Sequence, residues 1–272
     1  MVEQRAHRAG ADTPLAHSNA RLKDLRRLSR RSERSERRLF LADGPKAVEG
    51  ALAAGCVEEV FVRPDALGLV PELPADVRLT LVEDRALAVL SDSVSPAGVV
   101  ALCRFVDVPL ADALAGARLV AICADVRDPG NAGTVVRCAD AAGADAVVLA
   151  GSSVDLYNPK TLRASVGSAF HLPVAVEPDP VAAVQAARAA GLTVLAADGA
   201  GERDLFAMDD VLAAPTAWLM GNEAWGLPEE LAVLADHRVA IPIHGRAESL
   251  NLSTAAALCL YASARAQRAP GA

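Results

Sequence analysis

The chain has 272 residues, of which 52% are apolar and 22% charged, which excludes a disordered protein and suggests about two globular domains. Its longest apolar runs are about eight residues against the roughly 18 a membrane span needs, and the polar start MVEQRAHRAGADTP has no secretory h-region, so a cytoplasmic protein is expected. The net charge of −7 divides into a basic head (residues 1–40, 11 Lys/Arg against five Asp/Glu) and an acidic body of −13.

In chain order, residues 1–17 read as a disordered basic tail. Ser18 is placed to cap a helix over 19–36, with Leu22, Leu25 and Leu28 on one stripe. A strand at 38–42, a helix at 45–54, strands at 57–63 and 77–82, a short helix at 84–90 and a strand at 98–105 complete an α/β unit, 18–106. Residues 107–115 read as a linker. A denser alternation fills 116–268: strand 119–124, helix 131–142, strand 146–150, helix 159–166, strand 174–176, helix 180–190, strands 193–197 and 217–220, helix 228–235, strand 238–241 and a last helix from about 251 to 267. Short apolar strands alternating with helices predict a parallel sheet covered on both faces. Ligands are then expected at the C-terminal strand ends.

Five cysteines without CxxC or metal spacing read as reduced thiols. No GxSxG elbow supports a serine hydrolase, and no GxGxxG supports a nicotinamide-dependent oxidoreductase. The arginines of the head, Arg26, Arg27, Arg30, Arg31, Arg34 and Arg37, suit a polyanion such as RNA. The alternative is an exposed helix in a chain whose basic residues are 24 Arg and three Lys, a ratio that compositional bias alone produces.

Three segments just beyond predicted strands hold the candidate chemistry. In DVRDPGNAGTVVR (125–137), Pro129 and Gly130 turn the chain and Asn131 can cap the helix. Arg137, six residues on, is expected to reach the same region. A helix start with an arginine suits a phosphate, and an ordinary βα turn fits the segment equally well. In WLMGNEAWGLP (218–228), two glycines free the backbone for a ligand and Glu223 can take a hydroxyl or a cation, or stand solvated. In IPIHGRAESLNLS (241–253), Ser249 is the candidate N-cap and Asn251 lies in the first helical turn.

Together, DPGNAGTVVRCADAAGADAVVL, LMGNEAWGL and IPIHGRAESLNLSTAAAL resemble, in this order, the signature motifs of the SpoU (TrmH) class of RNA 2'-O-ribose methyltransferases, within the SPOUT superfamily. The text FLADGPKAVEGAL at 40–52 resembles an N-terminal L30e-like substrate-binding domain. The resemblance implies an α/β fold whose parallel sheet ends in a deep trefoil knot. It implies S-adenosyl-L-methionine as cofactor, no metal, a homodimer, and an RNA substrate, ribosomal RNA ahead of tRNA. The cofactor is then expected against Leu219, Met220, Gly221, Ile241, Ile243, Ser249, Leu250 and Asn251. Arg137, Asn131, Ser249, Asn251 and Glu223 are carried over as the catalytic set. Arg137 is the family's assigned base, yet a guanidinium holds its proton too firmly for that task, which favours a clamp on phosphate and alkoxide. A non-catalytic RNA-binding protein on the same scaffold is the alternative.

Overall fold

The computed structural model describes residues 13–269. Its first elements are α1 (Ala20–Leu25), α2 (Arg31–Arg37), β1 (Leu39–Asp43), α3 (Pro45–Ala53), β2 (Val57–Val62), β3 (Arg78–Leu81), α4 (Asp84–Leu90) and β4 (Val99–Arg104). There follow α5 (Leu110–Leu114), β5 (Leu119–Ala124), α6 (Pro129–Ala142), β6 (Ala146–Ala150), α7 (Pro159–Ser165), β7 (Val174–Glu177), α8 (Pro180–Ala189) and β8 (Thr193–Ala197). The chain ends with β9 (Arg203–Asp204), α9 (Asp209–Leu212), β10 (Thr216–Met220), α10 (Glu229–Ala232), β11 (His237–Ala240) and α11 (Leu252–Gln267).

Two compact units form. Among the described residues, one holds 13–106 together with Tyr157–His171; the other holds Asp107–Leu156 and 172–269. Residues Tyr157–His171, inside the stretch read as 116–268, therefore pack with the first unit, where Phe170 lies against Gly50 of α3.

The first unit is a four-stranded sheet ordered β1-β4-β2-β3, antiparallel except for the β2–β3 pair. Leu22, Leu25 and Leu28 pack on Phe61, Val82, Leu87, Leu90, Val100 and Leu102, so the leucine stripe is the face that holds the basic head to the sheet. The head is not one helix. Asn19, not Ser18, caps α1, accepting from the backbone N–H of Arg21 and Leu22. A 3-10 turn over Arg26–Ser29 follows, and Arg30, with ψ 135°, breaks the helix before α2. Residues 13–17, read as disordered, hold a bridge from Leu15 to Val82; the first twelve of the expected tail lie outside the described residues.

The second unit is a seven-stranded sheet, all pairs parallel, ordered β7-β6-β5-β10-β8-β11-β9. The strands β5, β6 and β10 are mainly apolar and buried along their whole length because both sides are covered. Ala217 and Leu219 of β10 join Val120, Ile122, Ala183 and Val184 on one face. Trp218, between them in register, points the other way and donates its indole N–H to Ser263 of α11 at 2.9 Å. Helix α5 replaces part of the expected linker, and β9 and α9 are short elements that the sequence pattern did not show.

Candidate active site

The loops after β5, β10 and β11 meet at the C-terminal end of this sheet. Asp128, not Asn131, caps α6, accepting the Asn131 N–H at 2.7 Å, with Pro129 at the first helical position where no N–H is needed. Asn131 is thereby set in the first turn with its side chain free to act laterally. The loop after β10 closes as a tight hairpin: Asn222 and Gly226 exchange backbone bonds of 3.0 and 2.9 Å. The Asn222 amide donates to the Asp125 carbonyl at 2.7 Å, and so ties this hairpin to the loop after β5. Asn251, not Ser249, caps α11, its Oδ1 accepting from Ser253 and Thr254.

These loops are joined by one hydrogen-bonded junction. Asn251 Nδ2 donates to Asn131 Oδ1 at 3.0 Å, and Asn131 Nδ2 donates to Glu223 Oε1 at 3.2 Å. Glu223 also accepts the backbone N–H groups of Arg127 and Asp128 at 3.4 and 3.3 Å. Below the junction lies a cavity of about 550 Å³. Met220, Val239, Ile241, Ile243, Leu250 and Leu252 supply apolar wall, and Asp198, Glu223 and Glu248 supply carboxylates. A pocket of this size and composition fits one small organic ligand, and its acid groups suit one that carries positive charge.

The sequence comparisons bear on this geometry directly. Residues 118–261 match the SpoU rRNA Methylase family, and residues 19–101 match an MRM3-like substrate binding domain. The chain belongs to the SpoU rRNA methylase family. The 23S rRNA (guanosine(2553)-2'-O)-methyltransferase of Bacillus subtilis is 34% identical over 247 residues, covering 89% of this chain and 95% of that protein. An AdoMet-bound rRNA methyltransferase from Sinorhizobium meliloti has the same fold, with a TM-score of 0.81 at 35% identity, over 91% of this chain and 95% of that one. The SpoU methyltransferase AviRb from Streptomyces viridochromogenes, in complex with AdoMet, gives 0.79 at 30% identity over 91% and 97%.

Within this SpoU fold the expected site residues divide. Met220, Gly221, Ile241, Ile243, Ser249, Leu250 and Asn251 line the cavity, as does Glu223. Leu219 does not: it is fully buried on the α8 face of the sheet. Asn131 is at the junction. Arg137 is exposed on α6 and neither joins the junction nor lines the cavity. Six residues turn a helix about 240° beyond a full revolution, so the two side chains leave α6 in different directions.

Ala197, Asp198 and Gly199, at the end of β8, line the cavity and were not singled out from the sequence. Their signal was an Asp-Gly turn dipeptide directly after an apolar strand.

The head arginines also divide. Arg34 is 3% exposed and donates to the carbonyls of Leu28 and Ser29, both at 2.8 Å, so it holds the 3-10 turn and does not face outward. Arg27 pairs with Glu33, and Arg37 with Asp24 at 3.1 Å. Arg26, Arg30 and Arg31 are exposed and make no ion pair among the described residues.

Proposed function

We propose that the chain transfers a methyl group from S-adenosyl-L-methionine to a ribose 2'-hydroxyl of large-subunit ribosomal RNA. The observation that carries this reading is the Asn251–Asn131–Glu223 junction, which joins all three signature segments at the rim of the cavity. The cavity fits the cofactor on chemistry: apolar walls for an adenine and a thioalkyl chain, and three carboxylates toward a cation. The residues that would hold it are Met220, Gly221, Ile241, Ile243, Ser249, Leu250 and Asn251. Bound there, S-adenosyl-L-methionine supplies a methyl group made electrophilic by a positively charged sulfur.

The chain's own work is then mostly positioning. Glu223 draws the Asp125–Asp128 loop and Asn131 together, and Asn251 fixes the other side of the Asn131 amide. Ser249 lies exposed on the cavity rim, placed to contact the ribose. As the 2'-hydroxyl passes its proton to solvent water, Arg137 clamps the target phosphate and stabilises the developing alkoxide; its exposure and lack of a protein partner among the described residues leave its fork of donors for RNA. Arg26, Arg30 and Arg31 contact RNA phosphates from the first unit. The name of the Bacillus subtilis relative, a 23S rRNA methyltransferase, favours ribosomal RNA over tRNA.

The same reading includes a deep trefoil knot in the C-terminal segments of the sheet, a homodimer, no metal and a cytoplasmic location. Leu258 and Tyr261, 37% and 52% exposed on α11, support the dimer. Among the described residues no helix is long and apolar enough to cross a membrane. Isothermal calorimetry and sedimentation test the reading together. We expect S-adenosyl-L-methionine to bind in metal-free buffer, with competition by the demethylated product, to a species near twice 28.1 kDa. No binding heat and no competition contradict it.

A further inference from the structure

The chain has only two tryptophans, and they have opposite fates. Trp218 is fully buried, whereas Trp225 is 56% exposed. Trp225 sits in the hairpin that Asn222 and Gly226 close, and Ala224 N–H donates to Asn222 Oδ1 at 2.8 Å to tighten the turn. A large ring is thus held in solvent by a braced loop, where ordering it costs little further entropy on binding. Ala224 and Gly226 line the cavity but Trp225, between them, does not, so the ring is turned away from the cofactor's place.

Its cationic partner is Arg127, whose guanidinium carbon lies 5.1 Å from the ring centroid. Arg127 is exposed and has no carboxylate partner among the described residues. Glu223 ties the hairpin that carries Trp225 to the loop that carries Arg127. Glu223 lies two residues before Trp225 and accepts the Arg127 backbone N–H. The same carboxylate holds Asn131, so the ring and the guanidinium are tied to the site where methyl transfer is placed.

We propose that Trp225 and Arg127 form a stacking platform for a nucleobase of the RNA beside the ribose that is methylated. The inference rests on the methyltransferase reading above. Unpaired RNA bases are recognised by stacking on aromatic rings and guanidinium planes. Every base has a π-face, so the platform positions the strand and leaves base identity to other contacts. Arg127, with its ring partner on one side, keeps in-plane donors for an adjacent phosphate.

The test uses the full-length protein and a protein-free 23S rRNA transcript. Trp225→Leu keeps apolar bulk and loses the ring; Trp225→Phe keeps a ring. Trp225→Leu is expected to raise the KM for RNA about tenfold or more, the scale of one lost base stack. The Kd for S-adenosyl-L-methionine stays within about twofold, and Trp225→Phe recovers most of the RNA affinity. Arg127→Gln shifts the RNA KM in the same direction. An unchanged KM in Trp225→Leu overturns the platform. So does a Phe variant no better than the Leu variant, or a cofactor Kd that rises in step with KM. If the wild type binds RNA but transfers no methyl, the methyltransferase reading fails instead. The same variants compared by RNA Kd in filter binding then decide the platform on its own.

Discussion

The Asn251 amide donates to the Asn131 carbonyl oxygen at 3.0 Å, linking the N-cap of α11 to the first turn of α6 across 120 residues of chain. The direction of this bond is fixed by what lies on either side. Asn251 Oδ1 accepts backbone N–H groups of Ser253 and Thr254, so its Nδ2 must be the donor. Asn131 then accepts on its oxygen, and its own Nδ2 faces the Glu223 carboxylate. The polarity of the junction is thus set by a helix cap.

Cap and junction can be separated by mutation. Asn251→Asp keeps an oxygen for the cap and loses the amide donor. It should leave the melting temperature nearly unchanged and lower kcat/KM by about tenfold, the cost of one positioning bond. Asn251→Ala loses both functions and should also destabilise the fold by about 1 kcal/mol. Thermal melts and methyl-transfer kinetics on the two variants check this. Full activity in Asn251→Asp would remove the junction from the mechanism.

The hairpin after β10 depends on its two glycines for different reasons. A Cβ on Gly221 would lie 2.4–2.6 Å from the main chain of Gly226, a contact that no side-chain movement relieves. A Cβ on Gly226 meets nothing within 4 Å, and only the positive φ of +71° opposes it. Gly221→Ala should therefore open the hairpin and abolish cofactor binding. Gly226→Ala should cost only about 1 kcal/mol and bind nearly as the wild type does. Calorimetry on both variants distinguishes them; equal losses would contradict the packing argument.

Arg34 and its exposed neighbours should also behave differently. Arg34→Ala removes a buried bond to the Leu28 carbonyl and a half-buried one to Ser29, and should destabilise the first unit by about 2 kcal/mol, read as a lower melting temperature. Replacing Arg26, Arg30 and Arg31 together by glutamine should leave the melting temperature alone. It should lower the slope of log affinity against log salt by about 2, at roughly 0.7 per phosphate contact. An unchanged slope would show a solvated surface.

Most strands of both sheets were legible because their runs are short, apolar and ended by Gly, Pro or Asp. The leucine stripe of the head was legible as a buried face. Its break at Arg30 was not, since Arg suits a helix interior, and burial of Arg34 came from the carbonyls which that break exposes. The helix caps were misplaced by one to three residues, because Ser18, Asn19, Asp128 and Asn131 are all good caps and the choice among neighbours is made by packing. In the site, the motif segments named Glu223, Asn131 and Asn251. That Asn131 bridges the other two was not legible, since 92 and 120 residues separate it from its partners. The 157–171 stretch reads as part of the second alternation, and the packing of Phe170 against Gly50 and of Tyr157 against Phe40 and Phe105 shows where it goes.

Buried thiols give the fold a pH dependence. Burial, with the charge of Glu223 adding to it, pushes the Cys123 thiol up to about 12. The unfolded thiol ionises near about 8.5. The folded state therefore holds its proton longer, so this stabilisation is whole below about pH 8.5 and is lost as pH rises toward 12. Between pH 8 and 10 the wild type should lose about 2 kcal/mol more than Cys123→Ala does. Urea midpoints at the two pH values measure this difference, and an identical loss in both proteins would contradict it.

In the proposed reaction this chain places a methyl group on a ribose 2'-hydroxyl of large-subunit ribosomal RNA while Arg137 holds the substrate. The most direct measurement is mass-spectrometric mapping of ribose methylation in protein-free 23S rRNA after incubation with S-adenosyl-L-methionine. Wild type, Arg137→Ala and Arg137→Lys are compared at saturating RNA across pH 6.5–9.5. The wild type should produce one new 2'-O-methyl nucleotide. Arg137→Ala should make it about 10²–10³ times more slowly, the scale for losing one transition-state donor, with cofactor affinity changed only a few-fold. Arg137→Lys, which keeps the charge and loses the fork, should be weakly active with no rise toward high pH. No ribose methylation by the wild type would overturn the methyltransferase assignment, and Arg137→Ala working at the wild-type rate would remove Arg137 from the site. An Arg137→Lys rate that climbs with pH would assign Arg137 as the base instead.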